Sequence, residues 1–75
     1  MKYYITATDG KNAHYIYNGY EFVLPYASNN SYSNYAQAAQ TIFSANSDKL
    51  HHVKLFIRLS KLTQDGLVML KQVEA

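Results

Sequence analysis

All three glycines of this 75-residue chain directly follow an aspartate or an asparagine, in Asp9-Gly10, Asn18-Gly19 and Asp65-Gly66. Such dipeptides favour two-residue β-hairpin turns, whose central positions need a positive φ that glycine adopts without steric cost. Each dipeptide lies between runs rich in β-branched and aromatic residues. Antiparallel strand pairs are therefore the first expectation.

Residues 2–8, 13–17 and 20–24 read as the first three strands, with Pro25 ending the third by removing a ladder donor. Residues 26–34 carry no charge and little apolar bulk, which is the composition of a loop. Asn30, Ser31 or Ser33 would cap the helix that follows. Tyr32, Tyr35, Ala36, Ala39, Ile42 and Phe43 recur at helical spacing and predict its inner face, and residues 44–48 predict the exit loop. In residues 53–60, Val53, Leu55, Ile57 and Leu59 alternate with Lys54, Phe56, Arg58 and Ser60, the clearest strand pattern in the chain. Lys61 and Leu62 reverse the alternation, the mark of a bulge or of the strand's end. Residues 67–73 read as a last strand. A helix over 62–73 is the alternative, because Leu62, Leu67, Leu70 and Val73 roughly fit that period. The expected fold is α+β: an antiparallel sheet in βββαββ order with one helix packed on one face.

Seventy-five residues make one small domain, residues 1–75. A chain of this length buries only about 60% of its unfolded surface. That leaves little room for an internal pocket and argues against an enzyme. The chain has no cysteine, so it forms neither disulfides nor thiolate metal sites. No apolar run is long enough for a signal peptide or a membrane span, so a cytoplasmic location is expected. Asn29-Asn30-Ser31 fits a glycosylation sequon but is read as chance.

All eight tyrosines fall within the first 35 residues. Each buried hydroxyl needs a partner, so a core this small is not expected to hide them all. If Asn18-Gly19 is a two-residue turn, Tyr17 opposes Tyr20 and Tyr15 opposes Phe22. If Asp9-Gly10 is another, Thr8 opposes Lys11, Ile5 opposes His14 and Tyr4 opposes Tyr15. Opposed residues share a face. One face then collects Tyr3, Ile5, Ala7, His14, Ile16, Glu21 and Val23 and is assigned to the core. The other collects Lys2, Tyr4, Thr6, Thr8, Lys11, Tyr15, Tyr17, Tyr20 and Phe22 and is assigned to solvent. A one-residue slip at the first turn would exchange strand one between them.

These expectations nominate Tyr15, Tyr17, Tyr20, Phe22, Tyr26 and Tyr32 as contact area for a protein partner, with Asn29 and Asn30 as polar contacts. The Tyr/Ser/Asn composition of residues 26–35 is that of an antibody paratope, in which tyrosine supplies area at small entropic cost. The alternative is a single-stranded nucleic-acid surface of Lys54, Phe56, Arg58 and Lys61, cations for phosphates and a ring for stacking. Charge weighs against it. Residues 1–48 carry Lys2 and Lys11 against Asp9, Glu21 and Asp48, net −1, whereas residues 49–75 are net +3. Cations and tyrosines thus lie in different halves. A self-associating structural protein, with the tyrosine face as a homodimer interface, is a third reading. His14, Asp48, His51 and His52 do not have metal-site spacing, since adjacent strand residues point to opposite faces. No catalytic constellation or cofactor motif appears, so no enzyme, metal or cofactor is expected.

The Met1-Lys2-Tyr3-Tyr4-Ile5 start, the Asp9-Gly10 hairpin, the alanine-rich helix from Tyr35 to Phe43 and the closing hairpin together resemble the small accessory proteins encoded by phages of Gram-positive bacteria. The resemblance covers the whole chain and carries over no functional residue. It implies a stoichiometric inhibitor or adaptor that binds a host protein in the bacterial cytoplasm, in the manner of proteins that block defence nucleases.

Overall fold

The computed structural model describes residues 1–11, 13–45 and 56–74. Its elements are β1 (Tyr3–Thr8), β2 (His14–Tyr17), β3 (Phe22–Val23), a 3-10 turn at Pro25–Ala27, α1 (Tyr35–Ala45), β4 (Phe56–Thr63) and β5 (Gly66–Glu74). The strands form one antiparallel sheet in the order β3-β2-β1-β4-β5, and α1 packs against one face. This is the expected βββαββ order. The last segment is a strand, and a helix over 62–73 is excluded. The expected strand residues 53–55 lie outside the described residues. No described helix is long and apolar enough to cross a membrane.

The turns differ from expectation, and the difference decides which residues are buried. The β1–β2 connection runs from Asp9 to Ala13, with Thr8 opposite His14 and Thr6 opposite Ile16. Side-chain oxygens hold this longer turn: Thr8 Oγ1 accepts from the Gly10 N–H at 3.2 Å and Asp9 Oδ1 from the Lys11 N–H at 2.8 Å. Gly10 sits at φ +81°, and a Cβ there would lie 3.3 Å from the Phe56 ring. Relative to a two-residue turn the register moves by three, an odd number, so β1 changes face. At the second turn Asn18 Oδ1 accepts from the N–H groups of both Tyr20 and Glu21, 2.8 Å each, and the connection takes four residues. Tyr17 then opposes Phe22 rather than Tyr20. That shift is even and preserves the face. Strand three shrinks to Phe22–Val23 and leaves Tyr20 in the turn.

The buried face therefore combines Ile5 and Ala7 of β1 with Tyr17 and Phe22, and with Ile57 and Leu59 of β4. The assignment of Tyr15, Tyr17 and Phe22 to a solvated face is corrected: Tyr17 is 5% exposed, Phe22 is 3% exposed, and Tyr15 is half-buried against them. The Tyr17 and Phe22 rings meet at 5.2 Å. Ile5, Ile42, Ile57 and Leu59 are the largest fully buried side chains. Burial of each contributes about 1.5–3 kcal/mol.

The helix turns a different stripe inward from the one expected. Ala38, Ile42 and Ala45 are buried and Ala39 is partly so, while Tyr35 and Phe43 are exposed. Tyr35 instead meets Tyr3 edge-on at 5.8 Å, and Lys71 Nζ lies 4.5 Å from the centre of the Phe43 ring. Small residues at the contact let the helix lie close to the sheet. Asn34 is the cap, not Asn30, Ser31 or Ser33: its Oδ1 accepts from the Gln37 N–H at 3.2 Å, and its carbonyl accepts from the Ala38 N–H at 3.1 Å. Asn34→Ala is expected to cost about 1 kcal/mol, read as a lower urea midpoint at unchanged slope.

Ahead of the helix, the chain is tied to the sheet by Tyr32. Its N–H and C=O exchange two 2.8 Å bonds with those of Tyr3, on the edge of β1 that β2 no longer covers. Asn30 Nδ2 donates to the Tyr17 carbonyl at 3.3 Å nearby. Within β4–β5 the register slips by one between Leu59 and Ser60, because β5 carries an extra residue, Leu70. The irregularity expected at Lys61 and Leu62 thus lies on the partner strand, and β4 runs on to Thr63.

Candidate functional site: the uncovered sheet face and its outer edge

The face opposite α1 carries Tyr4, Thr6 and Thr8 of β1, His14 and Ile16 of β2, Arg58, Ser60 and Leu62 of β4, and Leu67 and Met69 of β5. The cross-strand registers put them in rows: Ile16–Thr6–Arg58–Gln72 and Tyr4–Ser60–Met69. All of them except Thr8, together with Tyr15 and Pro25, line a groove of about 530 Å³. Its walls are apolar: Ile16, Pro25, Leu62, Leu67 and Met69. Its floor is polar: Thr6, Arg58 and Ser60.

Two features of this floor stand out chemically. Arg58 Nε donates to Gln72 Oε1 at 2.9 Å, which holds the guanidinium along the row it shares with Thr6. Ser60 is 5% exposed, and its hydroxyl has no hydrogen-bond partner among the described residues. A buried polar group left unpaired costs about 1–3 kcal/mol, so its persistence calls for an explanation.

Beside the groove lies the free edge of β5. The Leu62 N–H donates to the Lys2 carbonyl at 2.9 Å, so Leu62 bonds toward β1. By alternation Lys61 and Thr63 bond toward β5, where they pair with Val68 and Gly66. The N–H and C=O groups of Leu67 and Met69 therefore point away from the sheet. Leu62, Leu67, Val68, Met69 and Leu70 are all exposed. A long apolar edge strand of this kind is a template for another strand, whereas the opposite edge, β3, is only two residues long.

The residues nominated from sequence are dispersed. Tyr20 (88% exposed) and Tyr26 (87%) stand free on either side of β3, and Asn29 is exposed. Tyr32 packs against the core, and Asn30 is spent on the Tyr17 carbonyl. With Tyr17 and Phe22 inside, no continuous tyrosine face exists to serve as a contact or homodimer surface. The basic strand is divided as well: Phe56 and Arg58 face the groove side, Lys61 alternates to the helix side, and Phe56 is partly covered by Gly10. Lys54, Asp48, His51 and His52 lie outside the described residues. His14 is exposed on the groove rim.

The groove was missed because its definition requires the register of the first turn. One signal was available: Leu62 breaks the alternation that puts Val53, Leu55, Ile57 and Leu59 on one face, and so falls on the face of Arg58 and Ser60. Comparison of the chain with protein-family models, with characterised proteins and with solved structures gave no match.

Proposed function

We propose that this chain is a non-enzymatic protein-binding module that takes an extended segment of a partner protein onto the free edge of β5. The observation that carries this reading is the run Leu67–Leu70, four consecutive exposed apolar residues on an edge strand where the N–H and C=O groups of Leu67 and Met69 point away from the sheet. Strand addition satisfies those groups, and the flanking apolar side chains supply the buried area. The binding surface moves accordingly from the tyrosines to the β4–β5 hairpin. Tyr20 and Tyr26 remain exposed at the opposite, β3 edge of the sheet. A role as stoichiometric inhibitor or adaptor of a host protein is what the resemblance to phage accessory proteins implies.

The test is capture of partner from nuclease-treated lysate by tagged wild type and variants. A single protein held by wild type should be lost with Met69→Pro, which removes an outward donor, and with Leu67→Asp. Tyr20→Ala should leave capture nearly intact. Equal capture by Met69→Pro would reject the edge as the binding surface. Bound material that vanishes on nuclease treatment, with steep salt dependence, would favour nucleic acid instead.

A further inference from the structure

We propose that the groove floor binds an amphipathic carboxylate, a single carboxyl group on an unbranched apolar body of the alkanoate class. This site goes beyond the protein-binding reading and stands or falls separately from it.

Three observations converge. First, Arg58 is the one cation among Lys and Arg in the groove lining, and its bond to Gln72 engages Nε, so its two terminal amino groups suit a bidentate contact. Second, the Ser60 hydroxyl, two residues along the same strand and on the same face, is buried without a partner among the described residues. Thr6, directly opposite Arg58, adds a second hydroxyl. Arg58, Ser60 and Thr6 all belong to the groove lining, and that lining holds no carboxylate among the described side chains. Third, the walls contributed by Ile16, Leu62, Leu67 and Met69 offer no side-chain hydrogen bond. A peptide laid there would bring two backbone polar groups per residue, and those walls leave most of them unpaired. A ligand with one polar head and an apolar tail leaves none. The volume of about 530 Å³ falls within the ordinary range for small-molecule sites.

Sodium decanoate, titrated into the ¹⁵N-labelled full chain, tests this directly. Saturable shifts are expected at the Thr6 and Ser60 amides and at the Arg58 Nε–H. Decan-1-ol should bind roughly tenfold or more weakly, because it forfeits the charge-assisted bonds. Arg58→Gln should weaken decanoate by a similar factor of about ten and leave decanol unchanged. Ser60→Ala should weaken decanoate without lowering the melting temperature, a separation that a purely structural serine would not give. Equal affinity for the acid and the alcohol would overturn carboxylate recognition. Shifts confined to residues off this face, or no saturation, would overturn the site. An acetyl-Leu-Glu-Leu-amide peptide binding as tightly as decanoate would overturn the single-headed ligand.

Discussion

Tyr17→Ala is expected to cost about 3–5 kcal/mol, the range for removing a buried aromatic ring. A domain of this size has roughly 5 kcal/mol to lose, so the variant should be largely unfolded at room temperature. Tyr17 is 5% exposed, meets the Phe22 ring at a tilt of 55° and lies in the cluster that includes Ile5 and Ile42. Tyr20, three residues on, stands in the turn at 88% exposure, and Tyr20→Ala should change stability by no more than ~0.5 kcal/mol. Urea unfolding followed by far-ultraviolet circular dichroism measures both. Similar small losses in the two variants would mean that Tyr17 is on the surface and the first-turn register is wrong.

Proline at adjacent positions of β5 should behave in opposite ways. Val68 pairs with Lys61 through inward-pointing backbone groups, so Val68→Pro breaks a ladder bond and strands a carbonyl. A loss of about 2–3 kcal/mol is expected from the missing bond together with the unpaired acceptor. The Met69 N–H points outward and bonds nothing in the sheet, so Met69→Pro should cost less than ~1 kcal/mol, mainly through backbone fit. Thermal melts of the two purified variants decide the matter. A larger loss at Met69 than at Val68 would reverse the assigned edge and remove the basis of strand addition.

The element order was legible because it rests on local signals. The Asn and Asp before each glycine mark the turns, the alternation through Ile57 and Leu59 marks β4, and Ala38, Ala39 and Ile42 fit a helix lying on a sheet. Which face is buried was not legible, because it depends on turn length. Asp9 and Asn18 each accept backbone N–H bonds through their own side chains, and that lengthens both connections beyond two residues. The second turn grew by an even count and kept Tyr15, Tyr17 and Phe22 together. The first grew by an odd count and moved Ile5 and Ala7 to join them. Composition alone cannot distinguish these outcomes, since both faces of the predicted sheet carried enough apolar residues to serve as a core. The candidate site inherits that ambiguity. Arg58 and Ser60 were correctly placed on one strand face, but the residues opposite them, Thr6 and Tyr4, follow from pairing between segments more than 50 positions apart.

That pairing sets the order in which the molecule can be completed. β1 is made first but sits in the middle of the sheet, with β2 on one side and β4 on the other. During synthesis its second flank waits for residues 56–63, so while β2, β3 and α1 emerge Ala7 has its β2 partner Tyr15 but Ile5 still lacks its partner Leu59. The nascent chain therefore carries an adhesive central strand until its final third is available. The same hairpin that closes this gap then supplies the longer of the sheet's two edge strands.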